Sequence, residues 1–449
     1  MLDIKVIRQN SEKVKTAVKN RGLDSKVVDR VLKVDETHRQ LAKEVEKWRG
    51  IKNKLGKEDI AEGKRVKEML RRLEPDLKAV AEELKLVLAQ IPNIPAKDVP
   101  VGRDESDNVE IKKWGKVKKT SFKPKDHLDL GEALDVIDVK RTVKVSGSRF
   151  GSLKNEAALL ELALLNFGMK LLVKKGFTPI IPPAVNKKEI EWGLGYSEGG
   201  GWDQMYLFEK DGINFVSSSE HTIIPQHSQE TLAEKDLPLR YVGYSSCFRR
   251  EAGTYGKDTR GIFRNHQFEK LEMNVITVPN VEVSDKECLR LLSLQEEIIQ
   301  ALKLPYRVLS CCTGDLPFPN RRLYDLDVWF PGQGRYREVQ SCSNCTDYQT
   351  RRLGIKAKTK EGTFNAHALN ATAIAMGRTI AAILENYQQK DGSVLVPEVL
   401  QKYTGFKKIT PTIALELLDR LPQFIKRKLE ESIKKQMAKK EPTVVYQSS

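Results

Sequence analysis

The chain has few cysteines and no long apolar run, and both shortages narrow its class. Its 449 residues include six cysteines, which cluster in one region rather than spreading as in a secreted disulfide framework. No apolar run approaches the roughly 20 residues of a membrane span, and the first 22 residues form a charged helical pattern rather than a signal peptide. We therefore expect a soluble, cytoplasmic protein with no membrane partner.

The cysteine spacing also argues against a zinc centre. Cys342 and Cys345 form a lone CxxC pair, and with Cys311 and Cys312 they would supply four sulfur ligands. Adjacent cysteines such as Cys311 and Cys312 are poor spacing for a zinc finger. The role of Cys342 and Cys345 stays open at this point.

Positive charge is in excess. The chain has 77 basic and 61 acidic residues, a formal net charge of +16. A surplus of this size favours a polyanionic partner, because each neutralised phosphate releases counterions. Nucleic acid is the first expectation, and the placement of the charge decides between it and a merely basic surface.

Residues 24–92 carry two heptad repeats. Heptad positions, apolar except for His38 and Lys52, follow in steps of four and three at Val27, Val31, Val34, His38, Leu41, Val45, Trp48, Lys52 and Leu55, and again at Val66, Leu70, Leu73, Leu77, Val80, Leu84, Val87 and Ile91. About ten residues with two glycines separate the runs, which predicts an antiparallel two-helix coiled coil with arms about 40 Å long. Pro75 falls inside the second helix and should kink it or remove a backbone bond.

The tip of this coiled coil is basic. Ten basic residues lie between positions 47 and 72 against four acidic ones, and they are Lys47, Arg49, Lys52, Lys54, Lys57, Lys64, Arg65, Lys67, Arg71 and Arg72. A charge run is often only a solvated face. A surface of this kind can also contact an RNA backbone by its shape rather than by its base sequence.

Residues 241–273 predict a hairpin with a functional loop. Alternating apolar runs at 241–248 and 266–273 flank a polar loop, the pattern of two antiparallel strands. Alternation puts Arg249 and Glu251 on one face of the first strand, and His266, Phe268, Lys270 and Glu272 on one face of the second. Guanidinium groups suit phosphate, an aromatic ring can stack on a purine and a carboxylate can hold an amine, so the hairpin is a nucleotide-site candidate without a Walker loop.

The hairpin sequence FRREAG…GKDTRG…RNHQFEKLE resembles motif 2 of class II aminoacyl-tRNA synthetases, and the seryl-tRNA synthetase version in particular. Residues 127–185 resemble motif 1, a dimer-forming element, with a short helix, a strand around SGSRF, a helix over 155–174 and a strand ending at Pro182 and Pro183. The segment FVSSSEH places Ser218, Ser219 and Glu220 where the family has the Thr-Ala-Glu loop that contacts serine.

Two downstream segments extend the resemblance. In YREVQSCSNC, Glu338 and Ser341 match the family positions that hold metal and ATP phosphates, and Gln340 stands where a serine is usual. An acidic side chain beside a hydroxyl suits Mg²⁺, which prefers hard oxygen ligands. The segment 364–388 resembles motif 3, a strand entering a helix with Arg378 at the join, where Ala371 and Ala373 replace usual glycines and Thr372 replaces a serine.

The resemblance implies a fold, a reaction and a set of site residues. The fold is α+β, a class II antiparallel sheet flanked by helices, with an N-terminal antiparallel coiled-coil arm; expected domains are 1–105 for tRNA binding, 106–410 for catalysis and 411–449 as a basic extension of unknown role. The reaction is ATP-dependent activation of L-serine and its transfer to tRNA(Ser) by a homodimer with Mg²⁺; charging of tRNA(Sec) stays open.

Site residues follow from the same resemblance. Arg249, Glu272 and Arg378 are expected to be catalytic, and Glu338 and Ser341 to hold the metal. Serine-binding residues are Ser218, Ser219, Glu220, Arg249, Glu272 and Thr372. ATP-binding residues are Arg249, Arg250, Glu251, Arg264, Phe268, Glu338, Val339, Gln340, Ser341 and Arg378. The tRNA contacts are Lys47, Arg49, Lys52, Lys54, Lys64, Arg65, Arg71, Arg72, Lys257 and Arg260.

Two other functions fit parts of this pattern. One is a synthetase-like paralogue that binds RNA or regulates without charging tRNA, but such a protein should have lost its ATP-binding arginines or Glu338. The other is an enzyme that adenylates a small amino acid for a non-tRNA acceptor, for which the basic arm has no use.

Overall fold

The computed structural model of the chain describes residues 1–56, 58–253 and 260–410. The predicted tail at 411–449 and the loop residue Lys257 lie outside these ranges. The helices are α1 (Ile4–Gln9), α2 (Ser11–Asn20), α3 (Lys26–Lys52), α4 (Ile60–Ala89), α5 (His127–Ala133), α6 (Val139–Ser146), α7 (Asn155–Lys174), α8 (Lys188–Leu194), α9 (Glu220–Ile223), α10 (Val281–Ala301), α11 (Tyr348–Leu353), α12 (Met376–Tyr387) and α13 (Glu398–Thr404).

The strands are short outside the central sheet. They are β1 (Val109–Trp114), β2 (Ile137–Asp138), β3 (Ser152–Leu153), β4 (Thr178–Ile180), β5 (Val185–Lys187), β6 (Leu207–Phe208), β7 (Ile213–Phe215), β8 (Thr231–Ala233), β9 (Leu239–Phe248), β10 (Gln267–Thr277), β11 (Tyr306–Ser310), β12 (Arg322–Phe330), β13 (Arg335–Thr346), β14 (Lys356–Thr359), β15 (Gly362–Asn365), β16 (His367–Ala375), β17 (Val394–Leu395) and β18 (Lys408–Ile409).

The two heptad runs form an antiparallel helix pair, α3 and α4, as the sequence predicts. The pair buries two separate apolar clusters, one at its base around Val31 and Leu84 and one towards its tip around Val45 and Leu70. Pro75 lies inside α4 without ending it, because this residue is exposed and the carbonyl that its ring leaves unpaired can face water. No helix in the described ranges is long and apolar enough to cross a membrane.

The base of the helix pair is fixed to the rest of the chain by buried polar contacts. The Arg21 guanidinium donates to the carbonyl oxygens of Leu316 and Asn320 at 2.6 and 3.2 Å. The Tyr348 hydroxyl donates to the carbonyl of Ile91 at 2.9 Å. These bonds satisfy backbone groups on both sides of the junction, so the arm has a fixed root.

An eight-stranded sheet forms the centre of the molecule, in the order β1-β11-β12-β13-β16-β10-β9-β4. Its strand pairs are antiparallel except β4 with β9. Helices α7, α10 and α12 cover one face, where Leu160, Leu291, Ile380 and Leu271 belong to one apolar cluster. Burying each such side chain stabilises the fold by about 1.5–3 kcal/mol. The opposite face is left to polar side chains.

The central hairpin and motif 3 are confirmed in type and nearly in their bounds. Strands β9 and β10 pair from Leu239↔Ile276 to Phe248↔Gln267, and the first ends just before Arg249. Strand β16 runs directly into α12, whose third residue is Arg378. The predicted 155–174 helix is α7.

The strand predicted around SGSRF is wrong. Residues 139–146 form helix α6, because the Asp138 carboxylate accepts from the Arg141 amide at 2.8 Å as an N-cap. Gly147, with φ of +89°, ends the helix, and the nearby strands are the two-residue β2 and β3, which flank α6 in sequence and pair with each other. The alternation of valine and polar residues before SGSRF therefore belongs to a helix with an exposed face.

Candidate active site

A β-bulge in β13 aligns the two residues that the sequence pairs as metal ligands. Strands β12 and β13 pair Leu326 with Gln340 but Asp327 with Glu338, so Val339 is an extra residue on β13. Without a bulge, Glu338 and Ser341 would point to opposite faces of the sheet, because they are three positions apart, an odd number. With it, both side chains line the same cavity.

A second bulge lies beside the first, in β16. Glu272 pairs with Thr372 whereas Leu271 pairs with Ile374, so Ala373 is the extra residue. This places Thr372 and Ala375 on one cavity wall although they are three residues apart. The two bulges face each other across the sheet, where the β13–β16 ladder stops at Cys342↔Ala371.

Two buried glutamines join the strands where the ladder stops. The Gln295 amide, on α10 beneath the sheet, donates to the carbonyls of Ser341 and Thr372, both at 2.8 Å. The Gln340 amide donates to the carbonyl of Ala373. The side chain of Gln340 therefore lies in the interior and outside the cavity, unlike its predicted place among the ATP ligands.

The cavity next to both bulges is rich in positive charge, and we call it the arginine cavity. Most of its polar lining comes from predicted ATP-binding residues, namely Arg249, Glu251, Arg264, Glu338, Ser341 and Arg378. Thr372, a predicted serine-binding residue, also lines it, as do Lys270 and Asn265. Phe268 and Val339 also line it. Arg264 pairs with Glu251 at 2.7 Å, and Arg378 with Glu338 at 3.1 Å. The carboxylates thus hold two of the guanidinium groups at the cavity wall.

Arg250 and His266 do not join this wall. Arg250 is exposed, and its amide donates to the carbonyl of Gln204 at 2.9 Å. His266 precedes β10, and its ring contacts Phe150 rather than the residues that alternation placed beside it. One face of Phe268 is covered by the Arg249 guanidinium, 5.3 Å from the ring centroid.

A second cavity adjoins the first and carries mostly acidic groups, and we call it the carboxylate cavity. It shares Arg249, Lys270, Glu338 and Ser341 with the arginine cavity, and it adds Glu220, Glu272, Asp315, Asp325 and Asn370. Arg249 therefore stands at the junction of a cation-rich space and an anion-rich space. A small ligand with a carboxylate and an amine can lie across this junction.

Glu272 is the most heavily bonded group in the carboxylate cavity. Its Oε2 accepts from the hydroxyls of Ser218 and Ser219 and from the Glu220 amide, whereas its Oε1 accepts from Lys270 Nζ at 2.9 Å. The two serine hydroxyls therefore orient Glu272 from below. An oxygen accepts about two hydrogen bonds, so Oε1 keeps one lone pair for a ligand.

The neighbouring cations and hydrogen-bond donors determine whether the buried carboxylates of Glu272 and Glu338 are ionised. Burial alone would raise the pKa of Glu272, but Lys270 and the Ser218 hydroxyl outweigh burial and hold the pKa below its usual value. Burial likewise opposes ionisation of Glu338, and the Arg378 guanidinium reverses the effect and lowers the pKa. Burial raises the pKa of Glu220. The cavity thus holds Glu272 and Glu338 as anions.

The side chain of Ser219 has room beside β9 because the facing residue of that strand is a glycine. A Cβ on Gly243, which pairs with Glu272, would lie 2.6 Å from the Ser219 hydroxyl oxygen. The family resemblance has alanine at this position, and the hydroxyl here uses the available space to reach Glu272 at 3.3 Å. Residues 218–220, which we call the serine loop, are thus tied to β10 by side chains as well as by backbone.

Several cavity residues have no place in the sequence-based assignment. Lys270 and Asn370 lie two residues from Glu272 and Thr372 on their strands, so alternation alone indicates them. The amide nitrogen of Asn370 has no hydrogen-bond partner within the described ranges. The Tyr196 hydroxyl, which donates to Glu220 at 3.1 Å, comes from a distant segment with no sequence signal.

Below the serine loop, a buried ion pair supports α9. His221 Nδ1 lies 2.7 Å from Glu191, whose Oε1 also accepts from the Asn214 amide at 3.1 Å. Burial would lower the pKa of His221, but the Glu191 carboxylate raises the pKa above its usual value. The imidazolium is therefore stabilised in the folded chain.

This pair predicts a pH-dependent effect on stability. A raised histidine pKa stabilises the fold fully below the unfolded value of about 6.5, and this contribution is lost as pH rises through the folded pKa. We expect Glu191→Gln to lower the free energy of unfolding by about 3 kcal/mol at pH 6 and by less at pH 9. Urea unfolding at both pH values measures it, and an equal loss at both would contradict the pairing.

All six cysteines are buried, and Cys342 Sγ lies 3.7 Å from Cys288 Sγ on α10. Cys345 Sγ instead donates to the side-chain oxygen of Asn320 at 3.4 Å. Within the described ranges, the one group of three candidate metal ligands is Cys311, Asp315 and Asp325. Asp325 pairs with Ser341 in the sheet and lines the carboxylate cavity together with Asp315, whereas Cys311 is fully buried.

The predicted tRNA contacts on the arm are all exposed where the structure describes them. They are Lys47, Arg49, Lys52, Lys54, Lys64, Arg65, Arg71 and Arg72. Arg49 pairs with Glu74 across the arm at 2.8 Å, and the Arg65 guanidinium lies 5.7 Å from the Trp48 ring centroid. Arg260 pairs with Asp126 at 3.0 Å and with Asp129, at the start of α5.

Comparisons with known proteins agree with this geometry. Residues 1–95 match the family model described as the seryl-tRNA synthetase N-terminal domain, and residues 206–387 match the class II tRNA synthetase core domain (G, H, P, S and T). A serine–tRNA ligase of Dictyoglomus turgidum is 44% identical over 92% of this chain and 100% of its own length. One of Pyrococcus horikoshii is 43% identical, covering 92% and 98%.

Solved structures give the same answer. The chain superposes on seryl-tRNA synthetase from Pyrococcus horikoshii complexed with ATP with a TM-score of 0.86, at 42% identity, covering 92% of this chain and 100% of that one. It superposes on the cytoplasmic serine–tRNA ligase of Naegleria fowleri in complex with AMP with a TM-score of 0.83, at 34% identity, covering 91% and 99%. The chain therefore belongs to the seryl-tRNA synthetase family of class II aminoacyl-tRNA synthetases.

Proposed function

We propose that the chain activates L-serine with ATP and transfers the seryl group to tRNA(Ser), and to tRNA(Sec) where a cell contains one. The observation that carries the proposal is the position of Arg249 between the arginine cavity and the carboxylate cavity. A triphosphate suits the first cavity and a small amino acid the second, and Arg249 reaches the point where they would react. Serine-dependent ATP–pyrophosphate exchange followed by charging of tRNA tests both steps.

In the first step the serine carboxylate oxygen attacks the α-phosphorus of ATP, and pyrophosphate leaves with the electrons of the broken P–O bond. The nucleophile is already ionised, so the protein needs no general base and contributes positioning and charge neutralisation. Arg249 contacts the α-phosphate and the serine carboxylate. Arg264 and Arg378 contact the outer phosphates.

The purine is held at the same end of the site. Phe268 stacks on adenine, and Glu251 accepts from the exocyclic amine. Both side chains line the arginine cavity, which supports their assignment. Binding of ATP replaces the Glu251–Arg264 ion pair, since each partner then has a ligand group to contact. Arg250 contributes through its backbone amide, and Gln340 supports the site from the interior through its side-chain amide; neither side chain contacts ATP.

The residues fit Mg²⁺. Glu338 offers a carboxylate and Ser341 a hydroxyl, and the β13 bulge brings them to one wall beside the phosphate-binding arginines. Mg²⁺ prefers such oxygen ligands and usually completes its shell with water and substrate phosphate. When bound, the ion would neutralise charge on the ATP phosphates.

Serine is chosen by size and by its hydroxyl. Glu272 Oε1 accepts from the serine hydroxyl, Thr372 and Asn370 line the surrounding wall, and Glu220 faces the ammonium group. A site that hydrogen-bonds a substrate hydroxyl can reject the deoxy analogue by roughly 10⁴-fold. The methyl group of Thr372 narrows the space against threonine.

In the second step the terminal ribose hydroxyl of the tRNA attacks the seryl carbonyl, and the adenylate leaves as AMP. The basic arm, within the proposed tRNA-binding unit of residues 1–105, holds the RNA backbone. Its exposed lysines and arginines support this role. Lys257 and Arg260 belong to the basic segment between β9 and β10 in the sequence, and we assign them to contacts with the acceptor end. The catalytic unit spans residues 106–410.

A homodimer in the cytoplasm completes the proposal. Exposed apolar side chains on α6 and α7, including Val145 (88%), Leu159 (49%) and Leu162 (53%), support a partner surface there. Light scattering at micromolar concentration tests the dimer. Six buried cysteines without a disulfide fit a reducing compartment.

A further inference from the structure

Glu251 has a backbone conformation that is costly for a residue with a side chain. Its φ is +52°, in the left-handed region that favours glycine. The residue lies after the end of β9 and lines the arginine cavity, where its carboxylate meets Arg264 at 2.7 Å. Such a conformation persists only where the surrounding structure holds it.

Gln204 holds the chain on both sides of Glu251. Its carbonyl accepts from the Arg250 amide at 2.9 Å. Its side-chain amide donates to the Ala252 carbonyl at 3.0 Å and accepts from the Ala252 amide at 3.1 Å. One residue thus makes three hydrogen bonds to the two neighbours of Glu251, and the side chain acts as the missing strand partner of Ala252.

Gln204 is itself well anchored. It is the last residue of a 3-10 turn, Gly201–Gln204, and is followed by buried Met205. The ring of Tyr206 then packs edge-on against His266, with centroids 6.1 Å apart. His266 Nδ1 in turn lies 2.9 Å from the Arg249 carbonyl. The segment 204–206 and the residues around Glu251 are therefore joined by hydrogen bonds and by one ring contact.

We propose that Gln204 is a positioning residue for purine recognition. By fixing the peptide units around Glu251, it aims the Glu251 carboxylate at the 6-amino group of the nucleotide. The role needs a side chain that donates and accepts at once, which leucine cannot do and glutamate does only in part. This inference rests on the proposed function, in which Glu251 accepts from the adenine amine.

The test compares Gln204→Leu and Gln204→Glu with the unchanged chain in serine-dependent ATP–pyrophosphate exchange. We expect Gln204→Leu to raise KM for ATP about tenfold, because two hydrogen bonds are lost. KM for serine should change less than twofold. The preference for ATP over ITP, which carries a carbonyl in place of the amine, should fall by a similar factor, and Gln204→Glu should lie between.

Two further variants separate positioning from general damage. Gln401→Leu also removes a side-chain bond to a carbonyl, from Gln401 on α13 to Val396 at 3.0 Å, and should change neither KM. Glu251→Ala should remove the ATP preference, and adding Gln204→Leu to it should cost nothing more.

The outcomes are distinct. An active chain in which Gln204→Leu keeps its KM for ATP and its ATP preference overturns this inference alone. Equal rises in KM for serine and ATP, or additive losses in the double variant, overturn it too. An unchanged chain with no serine-dependent exchange overturns the proposed function and this inference with it.

Discussion

Replacing Glu272 by alanine is expected to abolish serine-dependent ATP–pyrophosphate exchange, with a loss of roughly 10³- to 10⁴-fold in kcat/KM. Glu272 is only 2% exposed and is held ionised by Lys270 and the Ser218 hydroxyl. Its removal takes away the proposed acceptor for the serine hydroxyl and leaves the Lys270 ammonium without its partner at 2.9 Å. Exchange kinetics over a range of serine concentrations measure the loss.

A second variant separates recognition from folding. Glu272→Gln keeps the size and one carbonyl acceptor but loses the negative charge, so it should keep more of the fold and still lose most activity. Thermal unfolding of both variants checks that the chain is folded. Near-normal exchange by a folded Glu272→Ala chain would remove Glu272 from the serine site.

Shortening the arm is expected to separate the two steps of the reaction. Removing residues 40–78 and joining the helices by a short glycine linker deletes the whole tip cluster around Val45 and Leu70. The base cluster around Val31 and Leu84, which holds the arm root, is left intact. We expect exchange within about twofold of the full chain and tRNA charging weaker by roughly 10²-fold or more, because phosphate contacts are lost.

Charge reversal on the full-length arm provides the matched control. Lys64→Glu with Arg71→Glu alters two exposed residues of α4 without touching either apolar cluster. This variant should also charge tRNA poorly, keep its exchange activity and show a shallower dependence of tRNA affinity on salt. Unchanged tRNA charging by the shortened chain would contradict the role of the arm in binding tRNA, whereas adenylation with no tRNA charging by the full chain would favour the adenylating enzyme with a non-tRNA acceptor.

The elements with strong periodicity could be predicted from the sequence. In α3 and α4 the heptad pattern marks the buried stripe of each helix, and in β9 and β10 the alternation marks the buried face of each strand. In these elements, whether a residue is apolar or polar indicates whether it is buried or exposed. The region around SGSRF gives no such signal, because valines alternate with polar residues in α6 much as they would in a strand, and no residue of this helix is buried.

The alignment of the site depends on features that the sequence does not mark. The bulges at Val339 and Ala373 shift Glu338 and Thr372 by one residue relative to their neighbours. Alternation therefore fails to predict which side chains line the arginine cavity at these two bulges, and only the family resemblance pairs Glu338 with Ser341. The same resemblance puts Gln340 among the ATP-binding residues, whereas in the structure its side-chain amide donates to the Ala373 carbonyl and so joins β13 to β16 at the two bulges.

Contacts between segments that are distant in sequence could not be predicted either. Tyr196 and Gln349 both contact the Glu220 carboxylate, at 3.1 and 2.7 Å, yet they come from segments on opposite sides of the central hairpin in sequence. Their roles follow from packing, which no local pattern encodes. Side chains of this kind decide how firmly the serine loop is held.

The measurement that tests the account most directly is ATP–pyrophosphate exchange with each of the twenty amino acids, using the full chain with Mg²⁺. The two-cavity site with Glu272 as hydroxyl acceptor predicts strong exchange with serine, and exchange with alanine lower by roughly 10⁴-fold. Absence of a serine signal, or an equal signal with alanine, would contradict the central claim.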